Sequence, residues 1–120
     1  MGNCCGNEKL IQQKDPMDPR RDPEFLSYCN NFVKNTFTKL PSLNQRSLLS
    51  GNDEWVEYKT EDYYFVGYVH KDSRIRYDYG VIAFKGGSLY EGNWDNDKAN
   101  GHGQLIHANG EYYVGNFADD

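Results

Sequence analysis

The chain has 120 residues with 38% hydrophobic and 15% aromatic content, enough for one small domain and too little for a large enclosed core. Its net charge of −5 is unevenly placed, with seven Lys or Arg against five acids in residues 1–50 and six against thirteen in residues 51–120. The acidic second half argues against a nucleic-acid partner, whose phosphates demand basic surface, and no apolar run reaches the roughly 20 residues that span a bilayer.

The N-terminus Met1-Gly2-Asn3-Cys4-Cys5-Gly6 lacks the apolar stretch of a secretory signal. It has the form of a dual-acylation signal, with myristate on the Gly2 amine once Met1 is removed and palmitate on Cys4 or Cys5. One myristoyl chain binds membranes only marginally, and a second lipid beside it makes the attachment durable. Gly6 stands where the usual signal has Ser or Thr. Cys4, Cys5 and Cys29 form no disulfide framework and no zinc-ligand spacing, so reduced or acylated thiols and a place at the cytosolic face of a membrane are expected. Residues 1–21 are polar and hold Pro16 and Pro19, the composition of a disordered tether.

Residues 22–50 are expected to be a helical cap. Asp22 is a capping residue, Pro23 fits the first helical position, and Glu24 suits the positive end of the dipole. Phe25, Leu26, Cys29, Phe32, Val33 and Phe37 then predict one amphipathic α-helix to about Thr38, closed by Leu40-Pro41 and docked on a sheet. Leu43, Leu48 and Leu49 predict a second short helical turn ended by Gly51, the two together capping the first repeat.

Residues 51–120 read as strands and turns. Shifting the chain by 23 residues superimposes Gly80 on Gly103, Gly87 on Gly110, Tyr90 on Tyr113, Gly92 on Gly115 and Asn93 on Asn116, with Trp94 on Phe117. Ten tyrosines favour half-buried strands. Lys85-Gly86-Gly87-Ser88 and Ala108-Asn109-Gly110-Glu111 predict hairpin turns, and Gly101 and Gly103 are assigned to a connecting turn. Tyr90, Gly92 and Trp94 share one strand face, as do Tyr113, Gly115 and Phe117. A glycine between two aromatics leaves a gap, which a ring from the same or a neighbouring strand is expected to cover.

Tyr-Glu-Gly-x-Trp, Gly-x-Gly and Gly-x-x-Tyr between Tyr90 and Phe117 are similar to the MORN (membrane occupation and recognition nexus) repeat. A clear copy spans 90–112 and a partial one starts at 113, while degenerate copies fill 54–87, with Tyr77 and Tyr79 in an enlarged turn and Thr60-Glu61 where a turn glycine belongs. The resemblance implies a mainly β fold, an antiparallel sheet of stacked hairpins in an open solenoid behind the N-terminal helix. It implies a non-enzymatic scaffold or adaptor at a membrane, or else the targeting and regulatory module of a longer lipid kinase or methyltransferase. So short an array also raises a longer chain, or a homodimer through the repeat edge.

No catalytic residue, cofactor or metal site is expected. His70, His102 and His107 lack a partnered carboxylate at fixed spacing, and Asp95-Asn96-Asp97-Lys98-Ala99-Asn100-Gly101 lacks the ligand register of a calcium loop. The candidate surface for a protein partner is the aromatic face of Tyr90, Trp94, Tyr113 and Phe117, although packing among the same rings is the better explanation of them.

Overall fold

The structure is a computed structural model and describes residues 17–44 and 52–118. Gly2, Cys4, Cys5 and most of the tether, together with Leu48 and Leu49 of the second helical turn, lie outside the described residues.

Six strands form one antiparallel sheet in sequence order: β1 (Asp53–Lys59), β2 (Tyr63–His70), β3 (Arg76–Phe84), β4 (Leu89–Asp95), β5 (Lys98–Ile106) and β6 (Tyr112–Phe117). Each strand pairs only with its neighbours in the chain, so every connection is a hairpin, and the chain spreads to 51 Å along its longest axis. The fold is mainly β and open, with β1 and β6 as its two edges.

Three local devices turn three of the five hairpins. Between β1 and β2 the Thr60 hydroxyl accepts from the N–H groups of Asp62 (3.0 Å) and Tyr63 (3.2 Å), so a side chain shapes the turn where a glycine was expected. Asn96 and Asp97 both have positive φ (52° and 72°) and form the two-residue loop between Asp95 and Lys98, the backbone demanded by the right-handed strand twist. At Ala108-Asn109-Gly110 only Gly110 has positive φ (92°), so Asn-Gly does not make a two-residue turn here. His107 instead bonds both Gly110 and Glu111, which widens the loop.

Three expectations are corrected. Tyr77 and Tyr79 lie inside β3, and the enlarged turn is Lys71–Ile75, closed by His70 N–H donating to the Ile75 carbonyl at 3.0 Å. Gly101 and Gly103 lie inside β5, where the register against β4 shifts between Gly92 and Trp94. Gly101, with φ of 93°, takes part in that bulge, and the equivalent irregularity in β3 places Asp78 at φ of 68°.

The third correction concerns the helix, which is broken. Asp22 accepts from Glu24 N–H (2.9 Å) and starts α1 (Pro23–Leu26), but Asn30 accepts from Val33 N–H (2.8 Å) and starts a separate α2 (Asn31–Lys39). A second cap within the apolar period stops the first helix. The break docks the hairpin turns: the Tyr28 carbonyl accepts from Gly86 N–H at 2.9 Å, and the Asn30 amide donates to the Ala108 carbonyl at 2.9 Å. As a result Phe32 points outward, 65% exposed, while Phe25, Val33 and Phe37 are buried.

The helices cover one face of the sheet, and the Tyr28 hydroxyl donates to the Thr60 carbonyl at the end of β1. Phe25, Val33 and Phe37 pack with Tyr64, Leu89 and Ile106 in the larger cluster, and Leu26, Leu40 and Leu43 border it. The opposite face carries a second cluster of Phe65, Val69, Ile82, Tyr90, Trp94 and Ala99, and among the described residues no helix packs against it.

Candidate binding surfaces

The aromatic face is organised by glycine. Gly67 pairs with Gly80, Gly80 with Gly92, Gly92 with Gly103 and Gly103 with Gly115, so one row of glycines crosses five strands. Rings lie in the trough this row leaves. A Cβ at Gly80 would meet Phe65 at 2.7 Å and a Cβ at Gly103 would meet the Tyr90 ring at 2.5–2.8 Å, while Gly115 is covered in the same way by Tyr113. Glycine here admits an aromatic ring against bare backbone.

The rings interlock from one hairpin to the next. Phe65 packs edge-on against Trp94 at 5.6 Å, and Tyr90 against Phe117 at 5.0 Å, each two strands away. Trp94 Nε1 donates to the Gly80 carbonyl (3.1 Å) and the Tyr90 hydroxyl to the Asn93 carbonyl (2.7 Å), so the polar tips are satisfied inside the chain. Burial pushes the Tyr90 hydroxyl well above the ordinary tyrosine range. The Arg76 guanidinium lies 4.8 Å from the Trp94 ring, held by Asp97 at 2.8 and 3.0 Å.

Of the aromatic residues singled out in the sequence, two are consumed by this packing: Tyr90 is 5% exposed and Trp94 8%. Phe117 is half-buried, and Tyr113, at 51%, presents its ring to solvent. Gly92, Gly103 and Gly115 belong to the row, Gly101 to the bulge. Gly110 sits apart, in the last turn, where its carbonyl accepts from the Thr36 hydroxyl at 2.8 Å. The surface open to a partner is therefore the β6 end of the face together with its edge. There Tyr113 is exposed on the aromatic face and Tyr112 and Val114 on the opposite one, where Phe32 lies across the last turn with its Cβ 3.3 Å from the Cβ position of Gly110.

A buried polar cluster on the helix-covered face was not expected from the sequence. Glu91 is fully buried, and its carboxylate accepts from Arg20 (2.5 and 3.0 Å), the Tyr79 hydroxyl (2.6 Å), the Gln104 amide (2.5 Å) and Leu43 N–H (3.1 Å). Arg20 Nε in turn donates to the carbonyls of Phe37 and Leu40, at the end of α2. Desolvation opposes the Arg20 charge, but Glu91 and Asp18 outweigh it and its pKa is raised. The available signal was Glu91 itself, a charge on the same strand face as the apolar Leu89. This cluster fastens the N-terminal segment to the sheet.

His70 stacks on Tyr77 at 3.8 Å, and His102 and His107 are exposed. Among the described residues no group of three His, Cys, Asp or Glu side chains is placed to hold a metal ion, and no helix is long and apolar enough to cross a membrane. Comparison of the chain with models of known protein families and with curated proteins returns no match.

Proposed function

We propose that the chain is a non-enzymatic, MORN-type adaptor held at the cytosolic face of a membrane by lipid on Gly2 and on Cys4 or Cys5, and that it recruits a protein partner through the β6 end of its aromatic face. The observation that carries the repeat reading is the recurrence of one unit: a close pair of glycines on adjacent strands, covered by the ring two residues before the first of them, at Phe65 over Gly67 and Gly80 and again at Tyr90 over Gly92 and Gly103. Stacked units of this kind supply extended surface and no enclosed catalytic site. Direct adhesion of residues 51–120 to anionic headgroups is disfavoured by their excess of seven negative charges.

Two measurements test the two halves separately. Metabolic labelling with alkyne fatty acids should mark the wild type, lose both labels in Gly2→Ala and lose palmitate in Cys4→Ser with Cys5→Ser, with each variant leaving the membrane fraction; unchanged fractionation would sink the anchor. Proximity labelling should recover a partner that Tyr113→Ala loses while the chain stays at the membrane. Equal recovery by Tyr113→Ala would remove the surface from the proposal.

A further inference from the structure

We infer that the outer edge of β6 is a docking groove for one antiparallel strand of a partner protein that carries Gly-x-aliphatic, with its glycine opposite Gly115. This rests on the partner-binding half of the reading above and is independent of the lipid anchor.

The two edges of the sheet differ. β1 is DEWVEYK, with Glu54 bound to Arg74 and Lys59 to Glu24, charges that discourage a further strand. β6 is YYVGNF, without a charge or a proline, and exposed on both faces; among the described residues nothing pairs with its outer side. Such an edge accepts strands by main-chain hydrogen bonding.

Ladder parity fixes the register. Antiparallel neighbours alternate between hydrogen-bonded pairs and closer pairs that are not bonded. The bond from Lys85 N–H to the Asp62 carbonyl makes Gly67/Gly80 a close pair, and the bond from Phe84 N–H to the Ser88 carbonyl makes Gly80/Gly92 a bonded one. Gly92/Gly103 is then close again, and the bond from His107 N–H to the Glu111 carbonyl makes Gly103/Gly115 bonded. The outward side of Gly115 is consequently the site of the next close pair, and Val114 and Asn116 turn their backbone polar groups to the edge.

Both close glycine pairs inside the chain have the same three parts. A ring covers both glycines, Phe65 in one and Tyr90 in the other, and an aliphatic residue stands opposite that ring, Ile82 in Gly80-Val81-Ile82 and Leu105 in Gly103-Gln104-Leu105. At the edge the ring, Tyr113, and the first glycine, Gly115, are in place. The second glycine and the aliphatic residue are what a partner strand must bring. A second copy of β6 fits poorly, since matching Gly115 with Gly115 sets Phe117 opposite Tyr113 and brings two tyrosine rings over one glycine pair.

The probe is a fluorescein-labelled peptide copying Asn100–His107, titrated with the full-length unacylated chain and followed by anisotropy. Saturable binding is expected, weakened at least about tenfold when the peptide carries Gly103→Val or the protein carries Gly115→Val, because a branched side chain holds the two backbones apart. Tyr113→Ala should weaken binding too, and it keeps the test open if Gly115→Val unfolds. Absence of binding by the native peptide, or equal binding by its Gly103→Val form, would overturn the inference. So would a dimer of the protein alone that Gly115→Val abolishes, which would assign the edge to self-pairing. Membrane fractionation is blind to all of these outcomes, so loss of the anchor and loss of the groove are separable.

Discussion

Arg20 and Glu91 stand 71 positions apart in the chain and meet as a two-point ion pair, Nη2 to Oε1 at 2.5 Å and Nη1 to Oε2 at 3.0 Å, with the carboxylate wholly buried. Removing one partner of a buried pair leaves a charge without compensation, a loss of roughly 3–5 kcal/mol. Glu91→Ala should therefore lower the free energy of unfolding by about that amount in urea titration. The N-terminal segment should also become sensitive to protease at the α2 end, since Arg20 would lose its hold on the sheet. A change within about 0.5 kcal/mol would show the pair to be a bystander.

Gly103→Ala is expected to destabilise by about 1–3 kcal/mol, because the new methyl meets the Tyr90 ring and the ring has to move. Gly87→Ala is the matched control. A Cβ there meets nothing nearer than 3.6 Å, so the change should stay within about 0.5 kcal/mol. Thermal unfolding of the two variants side by side checks the contrast, and equal effects would mean that the glycine row has no packing role.

Trp94→Ala should cost about 3–5 kcal/mol, as expected when a buried aromatic is removed, and it also deletes the indole hydrogen bond to the Gly80 carbonyl. Tyr113→Ala, on the exposed end of the same face, should cost about 1 kcal/mol or less. Partner-binding experiments that use Trp94→Ala would thus report unfolding. The comparison is made by circular dichroism melts before any binding assay.

The repeat was legible because its signals are local: Tyr90, Gly92 and Trp94 recur at Tyr113, Gly115 and Phe117, and period-two alternation puts each trio on one face. The covering of glycine by a ring followed from the same residues. The single glycine row was hidden, since the longer turn at Lys71–Ile75 shifts Gly67 away from the 23-residue register. Helix periodicity misled at Asn30, because apolar spacing is blind to a capping side chain that restarts the helix. The Arg20–Glu91 pair was invisible for a different reason. Nothing local to either residue names a partner that only the folded chain brings near.

Cys29 should be a poor nucleophile. Burial raises its thiol from 9.0 to about 11, with Lys34 opposing only weakly, so at pH 8 about one part in a thousand is thiolate. In a Cys4→Ser, Cys5→Ser background the remaining thiol should react with iodoacetamide roughly a hundredfold faster once urea unfolds the chain. Equal native and unfolded rates would place Cys29 in contact with solvent and contradict its packing, between α1 and α2, against the larger cluster.

The contact between Arg76 and Asp97 gives the fold an acid-sensitive component. Hydrogen bonding from the Arg76 side chain, followed by its backbone N–H and its charge, holds the Asp97 carboxyl below its ordinary value of 3.8. A lowered folded-state pKa means that the unfolded chain takes up this proton first as the pH falls. The contribution is therefore complete above the ordinary value and fades below about pH 4, through the folded-state value. Asp97 is half exposed, so solvent screening keeps the effect modest. Asp97→Asn should be less stable than wild type at pH 7, and the gap should close as urea midpoints are followed into acid. A gap that stays constant would mean that the carboxylate charge has no role, and that the two-residue turn at Asn96-Asp97 alone sets the geometry which keeps Arg76 over Trp94.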